Sequence, residues 1–130
     1  MPGERRDAFQ YAVLRVVPRV ERGERFNAGV VLFCRTRRFL GAEVELDERK
    51  LAALAPEADA AAVERHLRGL ARVAAGDEDA GPIARLSQSE RFHWIVAPSS
   101  TIVQPGPVHT GLTGDPEGEL ARLFGKLVER

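Results

Sequence analysis

From Phe9 to Val17 the chain reads Phe-Gln-Tyr-Ala-Val-Leu-Arg-Val-Val, apolar on both faces of an extended backbone except at Gln10 and Arg15. Aromatic and β-branched residues in that density predict a strand, and one apolar on both sides has to lie inside a sheet with layers covering each face. Pro18 ends it. The turn Glu21-Arg22-Gly23-Glu24-Arg25 leads into a second strand from about Asn27 to Arg35. A third, about Phe39 to Leu46, alternates: Leu40, Ala42, Val44 and Leu46 face one side, Glu43 and Glu45 the other. Three consecutive strands with short turns predict an antiparallel meander.

The middle of the chain reads as helices. Asp47 is a good N-cap, Leu46 stands where it can staple onto Leu51, and Pro56 closes the segment. A longer helix is predicted from about Asp59 to Ala75, with Val63, Leu67, Leu70 and Ala74 on one stripe and Gly76 as its C-terminal cap. Gly76 to Pro82 reads as an acidic solvated loop. A fourth strand is predicted from Arg91 to Ala97, then a Pro-rich loop, with Ile102 to Gln104 a short extended piece that Pro105 confines to an edge. Asp115-Pro116-Glu117 opens a last helix striped with Leu120, Leu123, Phe124 and Leu127. The order βββ-αα-β(β)-α predicts an α+β fold, one domain over 1–130 with helices packed on an antiparallel or mixed sheet of four to five strands.

Composition narrows the function classes. Lys+Arg and Asp+Glu both number 19 in 130 residues, so the net charge is zero and nothing global favours nucleic acid or an anionic membrane. Cys34 is the single cysteine and sits in an apolar run, the place of a small buried thiol in a reducing compartment. The charged N-terminus leads into no leader-like apolar region and no stretch reaches membrane-spanning length, so a cytoplasmic location is expected. His66, His93, His109 and Cys34 lack zinc-ligand spacing, and no Gly-x-Ser-x-Gly elbow or phosphate-binding glycine loop is present. No metal and no cofactor is expected. Phe92 and Trp94 read as core.

Candidate chemistry concentrates after the fourth predicted strand. Prolines 98, 105 and 107 restrict the loop that carries Ser99, Ser100, Thr101, Gln104, His109 and Thr110. Rigidly presented polar groups on a loop suit binding. His109 is the candidate for proton transfer, set against a loop-locking role of equal weight. Ser100 and Thr101 offer hydroxyls and amides to an anion, or equally satisfy their own turn. Arg15 interrupts an apolar strand and needs a partner; an ion pair with Glu24 is the first expectation, an anionic ligand the second. Asn27-Ala28-Gly29 reads as a turn or bulge where the backbone comes close to something, with Asn27 a further ligand candidate.

Tyr11-x-Val13-x-Arg15-x-Val17-Pro18, Arg22-Gly23-Glu24-x-x-Asn27-x-Gly29-Val30-Val31-Leu32-Phe33 and Phe92-x-Trp94-x-Val96-Ala97-Pro98-x-Ser100-Thr101-x-x-Gln104-x-x-Pro107-Val108-His109-Thr110-Gly111 together resemble the DUF3037 family of bacterial proteins, over nearly the whole chain. That family is one of unknown function. The resemblance implies a fold unit and, from members encoded beside HipA-like kinases, a kinase as partner; it assigns no catalytic role. Two functions follow as expectations. One is an accessory module that binds a protein partner such as a HipA-like kinase. The other is a domain, binding or enzymatic, for a small anionic ligand such as a nucleotide or phosphorylated metabolite, with Arg15, Asn27, Ser100, Thr101, Gln104, His109 and Thr110 at its site.

Overall fold

The computed structural model describes residues 5–128, so Met1 to Glu4 of the charged N-terminus lie outside it. Its strands are β1 (Asp7–Arg19), β2 (Glu24–Cys34), β3 (Phe39–Val44), β4 (Val103–Pro105) and β5 (His109–Thr113), and its helices are α1 (Glu48–Leu54), α2 (Ala60–Ala75), α3 (Gln88–Ile95) and α4 (Pro116–Leu127). All strand pairs are antiparallel. The order is β3-β2-β1-β4, with β5 also on β1. β1 is thus the inner strand its two apolar faces demand, and β1 to β3 form the expected meander.

β4 and β5 lie end to end along one side of β1. Leu14 faces Pro105 and Tyr11 faces His109, so Val13 and Ala12 are left opposite Gly106, Pro107 and Val108. One extra residue is accommodated there, and residues 103–113 act as one broken edge strand. The stretch read from sequence as a rigid loop around His109 is therefore strand, held by pairing to β1.

The two sheet faces separate by strand alternation. Ala12, Leu14 and Val16 belong to a large cluster with Val63, Leu67 and Leu70 of α2 and Phe92 and Ile95 of α3. Phe9, Val30, Leu32 and Cys34 face the other way, under Leu120 and Leu123 of α4. The Cys34 thiol is buried, as expected, within reach of the Ala8 carbonyl. The predicted bulge in Asn27-Ala28-Gly29 is present: Leu14 faces Gly29 but Arg15 faces Asn27, leaving Ala28 unpaired.

Most helix signals act as read. Asp47, Asp59 and Asp115 each accept first-turn backbone amides, and Gly76 takes the left-handed conformation (φ 75°) that ends α2. The acidic segment is more ordered than a plain loop: Glu78–Ala80 and Pro82–Arg85 are 3-10 turns, and Asp77 caps the first.

The predicted fourth strand is a correction. Residues 88–95 are helix α3, opened by a reciprocal capping box between Ser87 and Glu90. Phe92 and Ile95, one helical turn apart, reach the core together, with the Phe92 ring centroid 5.3 Å from that of Phe33. Core burial at that spacing outweighs the β-preference of the aromatic run. Turned away on the helix, Trp94 is 46% exposed, against its expected place in the core.

Candidate functional site

α4 packs over β2 and β3 and over Phe9 at the start of β1, and leaves Tyr11, Arg15 and the broken edge strand on that face half-buried or exposed. Arg15 lies in this open half. Its Cα partners are Asn27 on β2 and Gln104 on β4, so three polar side chains stand abreast across neighbouring strands, roughly 5 Å apart at Cβ. The guanidinium leans over Gly106, where a Cβ would stand only 2.9 Å from its Cζ. The expected ion pair with Glu24 does not form. Glu24 instead meets Arg22 at 3.2 Å on the surface: Arg15 faces Asn27, and Glu24, three residues before Asn27 on β2, faces Arg19. Among the described residues Arg15 has no acidic partner.

Both strand partners of Arg15 are neutral. Arg25 alternates with Asn27 onto the same face and is exposed. The Asn27 Nδ2 donates to the Leu127 carbonyl at 2.9 Å, which ties the end of α4 to β2 beside Arg15. Gln104 donates its Nε2 to the Thr101 carbonyl at 3.0 Å, and among the described residues nothing engages its side-chain oxygen. On α4, Arg122 lies on the flank toward Tyr11, and Lys126 one turn later shares that flank. The Arg122 guanidinium is bonded to Glu119, which raises its pKa above the ordinary value, with a smaller contribution from Tyr11.

His109 stands on the same face, four β1 residues from Arg15 and so about 13 Å along the strand. Its ring stacks on Tyr11 with centroids 5.2 Å apart and planes tilted by 34°. Thr110, the next residue, points to the opposite face by strand alternation.

The loop hydroxyls are occupied with their own turn. Thr101 donates its Oγ1 to the Val103 carbonyl at 2.8 Å, so Ser99 is the donor in the 2.8 Å bond between the two hydroxyls, and Thr101 N donates back to Ser99 Oγ. Ser100 is exposed. Of the candidates read from sequence, Arg15, Asn27 and Gln104 come together; His109 shares their face at a distance; Ser100, Thr101 and Thr110 fall elsewhere.

Behind that loop lies a feature the sequence reading missed. A pocket of about 320 Å³ opens between α2, α3 and the loop, floored by Leu14, Leu70 and Val103, with His66, Trp94, Ser99 and Thr101 at its rim. His66 stands one turn before Leu70, at the border of the α2 stripe, and that spacing was its available signal. Trp94 had none, because reading 91–97 as strand put it beside Phe92. A wider cleft of about 840 Å³ runs between Asn27, Glu45, Asp47, Lys50 and Val128, with charges of both signs. Among the described residues no helix is long and apolar enough to cross a membrane.

Comparison with curated proteins and with solved structures returned no match. The model of one family, described as a protein of unknown function (DUF3037), matches residues 11–128, which span β1 to α4, and the chain belongs to that family.

Proposed function

We propose that this protein is a binding domain that takes an anionic group on the open half of its sheet, with Arg15 as the principal contact. One observation carries the reading: a half-buried arginine in an otherwise apolar strand, with no acid paired to it among the described residues. An unpaired arginine of that kind gains from an incoming carboxylate or phosphate, which the guanidinium fork can grip in two places. Gln104 and Asn27 flank it, Arg25 and Lys126 add positive charge, and the His109–Tyr11 stack offers a flat surface for a planar part of the ligand. A nucleotide or phosphorylated metabolite has this combination.

The test is thermal unfolding of the wild type and Arg15→Met against phosphate, pyrophosphate, nucleotides and phosphorylated sugars. Methionine keeps the apolar stem and removes the charge. A ligand at a hundred times its Kd stabilises by about 2.7 kcal/mol, which moves the midpoint by several degrees. A shift in the wild type that Arg15→Met abolishes supports the reading; equal shifts in both proteins, or none in either, overturn it.

A second reading is favoured by Trp94. An exposed indole at the rim of an apolar pocket is the kind of residue that anchors a protein interface. A HipA-like kinase is the partner we propose for that surface. Calorimetric titration of such a kinase with the wild type and Trp94→Ala tests it, with heat lost in the variant as the expected result.

A further inference from the structure

We propose that β5 is an interaction edge, and that its occupant is the β5 of a second copy of this chain, paired antiparallel about a two-fold axis through Gly111. The sheet ends on β4 and β5, and among the described residues no strand lies beyond them. Exposed sheet edges are ordinarily guarded by charge, proline, bulges or a covering element. Here 29% of the whole chain is charged, yet no Asp, Glu, Lys or Arg occurs from Phe92 to Gly114. Pro105, Pro107 and the break at 106–108 guard the first half of the edge. His109 to Thr113 has no such guard: it is a strand without charge or proline, and Leu112 on it is 64% exposed.

The register argues for self-pairing. With Gly111 facing Gly111, Leu112 of each copy stands opposite Thr110 of the other, and His109 opposite Thr113. Leu112 and Thr110 pair in the chain with Ala8 and Gln10, the face that carries α2 and α3, but at a margin these helices leave open. Ala8 is also exposed there, so in the paired sheet each Leu112 lies between its own Ala8 and Thr110 of the other copy, with the two Leu112 side chains diagonal to one another. The strand has no charge with which to select a charged peptide and no like charges to repel its own copy. Joining two edges produces one continuous ten-stranded sheet from two of five strands.

Sedimentation velocity over a wide concentration range tests this on the wild type, Leu112→Lys, Thr110→Lys and, as a control away from the edge, Leu86→Lys. Leu112 and Thr110 are exposed, so the lysine variants keep the monomer fold, which circular dichroism checks. The expected result is a concentration-dependent dimer for the wild type and Leu86→Lys and monomer for both edge variants. Hydrogen exchange at 109–113 should slow as the wild-type concentration rises. A wild type that stays monomeric throughout overturns the proposal, as does a dimer that survives both edge lysines. A foreign strand bound by a monomeric wild type overturns it as well.

Discussion

Arg15 lays its guanidinium over Gly106 of the neighbouring strand, so that a methyl group at 106 would meet Cζ at 2.9 Å and Nη2 at 3.1 Å. The glycine is what lets this arginine lean toward the sheet edge instead of toward α4. Gly106→Ala should therefore displace the end of a flexible side chain at a fold cost below about 1 kcal/mol, while any anion-induced rise in Tm is lost. Calorimetry with and without phosphate ligands checks both halves of that statement.

Gly111 stands in the same relation to Phe9, with the opposite consequence. A Cβ there would lie 2.7 Å from the ring Cζ and 2.8 Å from Cε1. Phe9 is buried with Leu120 and Leu123 and has nowhere to go. Gly111→Ala should cost about 1–3 kcal/mol in urea unfolding, and Phe9→Leu in the same chain should recover part of it.

Helix α3 makes two neighbouring aromatics unequal. Phe92→Ala should cost about 3–5 kcal/mol, Ser87→Ala about 1 kcal/mol through the lost cap, and Trp94→Ala less than about 0.5 kcal/mol. A strand at 91–97 would place Phe92 and Trp94 on one face and make their costs comparable. Urea unfolding of the three variants separates the two cases.

Arg37 joins three parts of the fold: its Nε donates to Asp7 at 2.7 Å, and its Nη atoms donate to the carbonyls of Gly114 and Arg5, each at 2.7 Å. The Asp7 carboxylate is mostly buried. Arg37→Met should cost about 2 kcal/mol by stripping charged hydrogen bonds from the Asp7 carboxylate and the Gly114 carbonyl, both partly buried. Hydrogen exchange should show the start of β1 and the end of β5 opening together.

Acid should weaken the surface pairs in a defined direction. The Arg72 guanidinium, helped by the backbone amide of Asp79, holds the Asp77 carboxyl below its ordinary pKa, and Arg19 does the same for Glu57. A carboxyl depressed in the folded state adds stability that is complete above its unfolded pKa, about 4, and fades as pH falls through the folded value. Tm should decline in that acid range, and Asp77→Asn and Glu57→Gln should each flatten the decline in scanning calorimetry.

Local signals in the sequence specified most of the elements. The caps at Asp47, Asp59 and Asp115, the α2 stripe ending at Gly76, and the alternation of β3 all act within a few residues, and they hold whatever surrounds them. The bulge at Ala28 was legible for the same reason. The α+β class followed from the order of these elements.

Long-range packing decided the rest. Whether 88–95 winds or extends depends on whether Phe92 and Ile95 find the core at helical spacing, and that core is assembled from β1, β2 and α2. His109 became strand rather than loop because β1 is long enough to pair with β4 and β5 in succession. The row Asn27–Arg15–Gln104 comes from three strands, and no spacing along the chain encodes it. Sequence by itself thus determined what each segment prefers and that Arg15 interrupts an apolar strand. Only the tertiary structure, through sheet register and the half-cover of α4, decided which side chains share a surface and which edge stays open, because those relations join residues far apart in the chain.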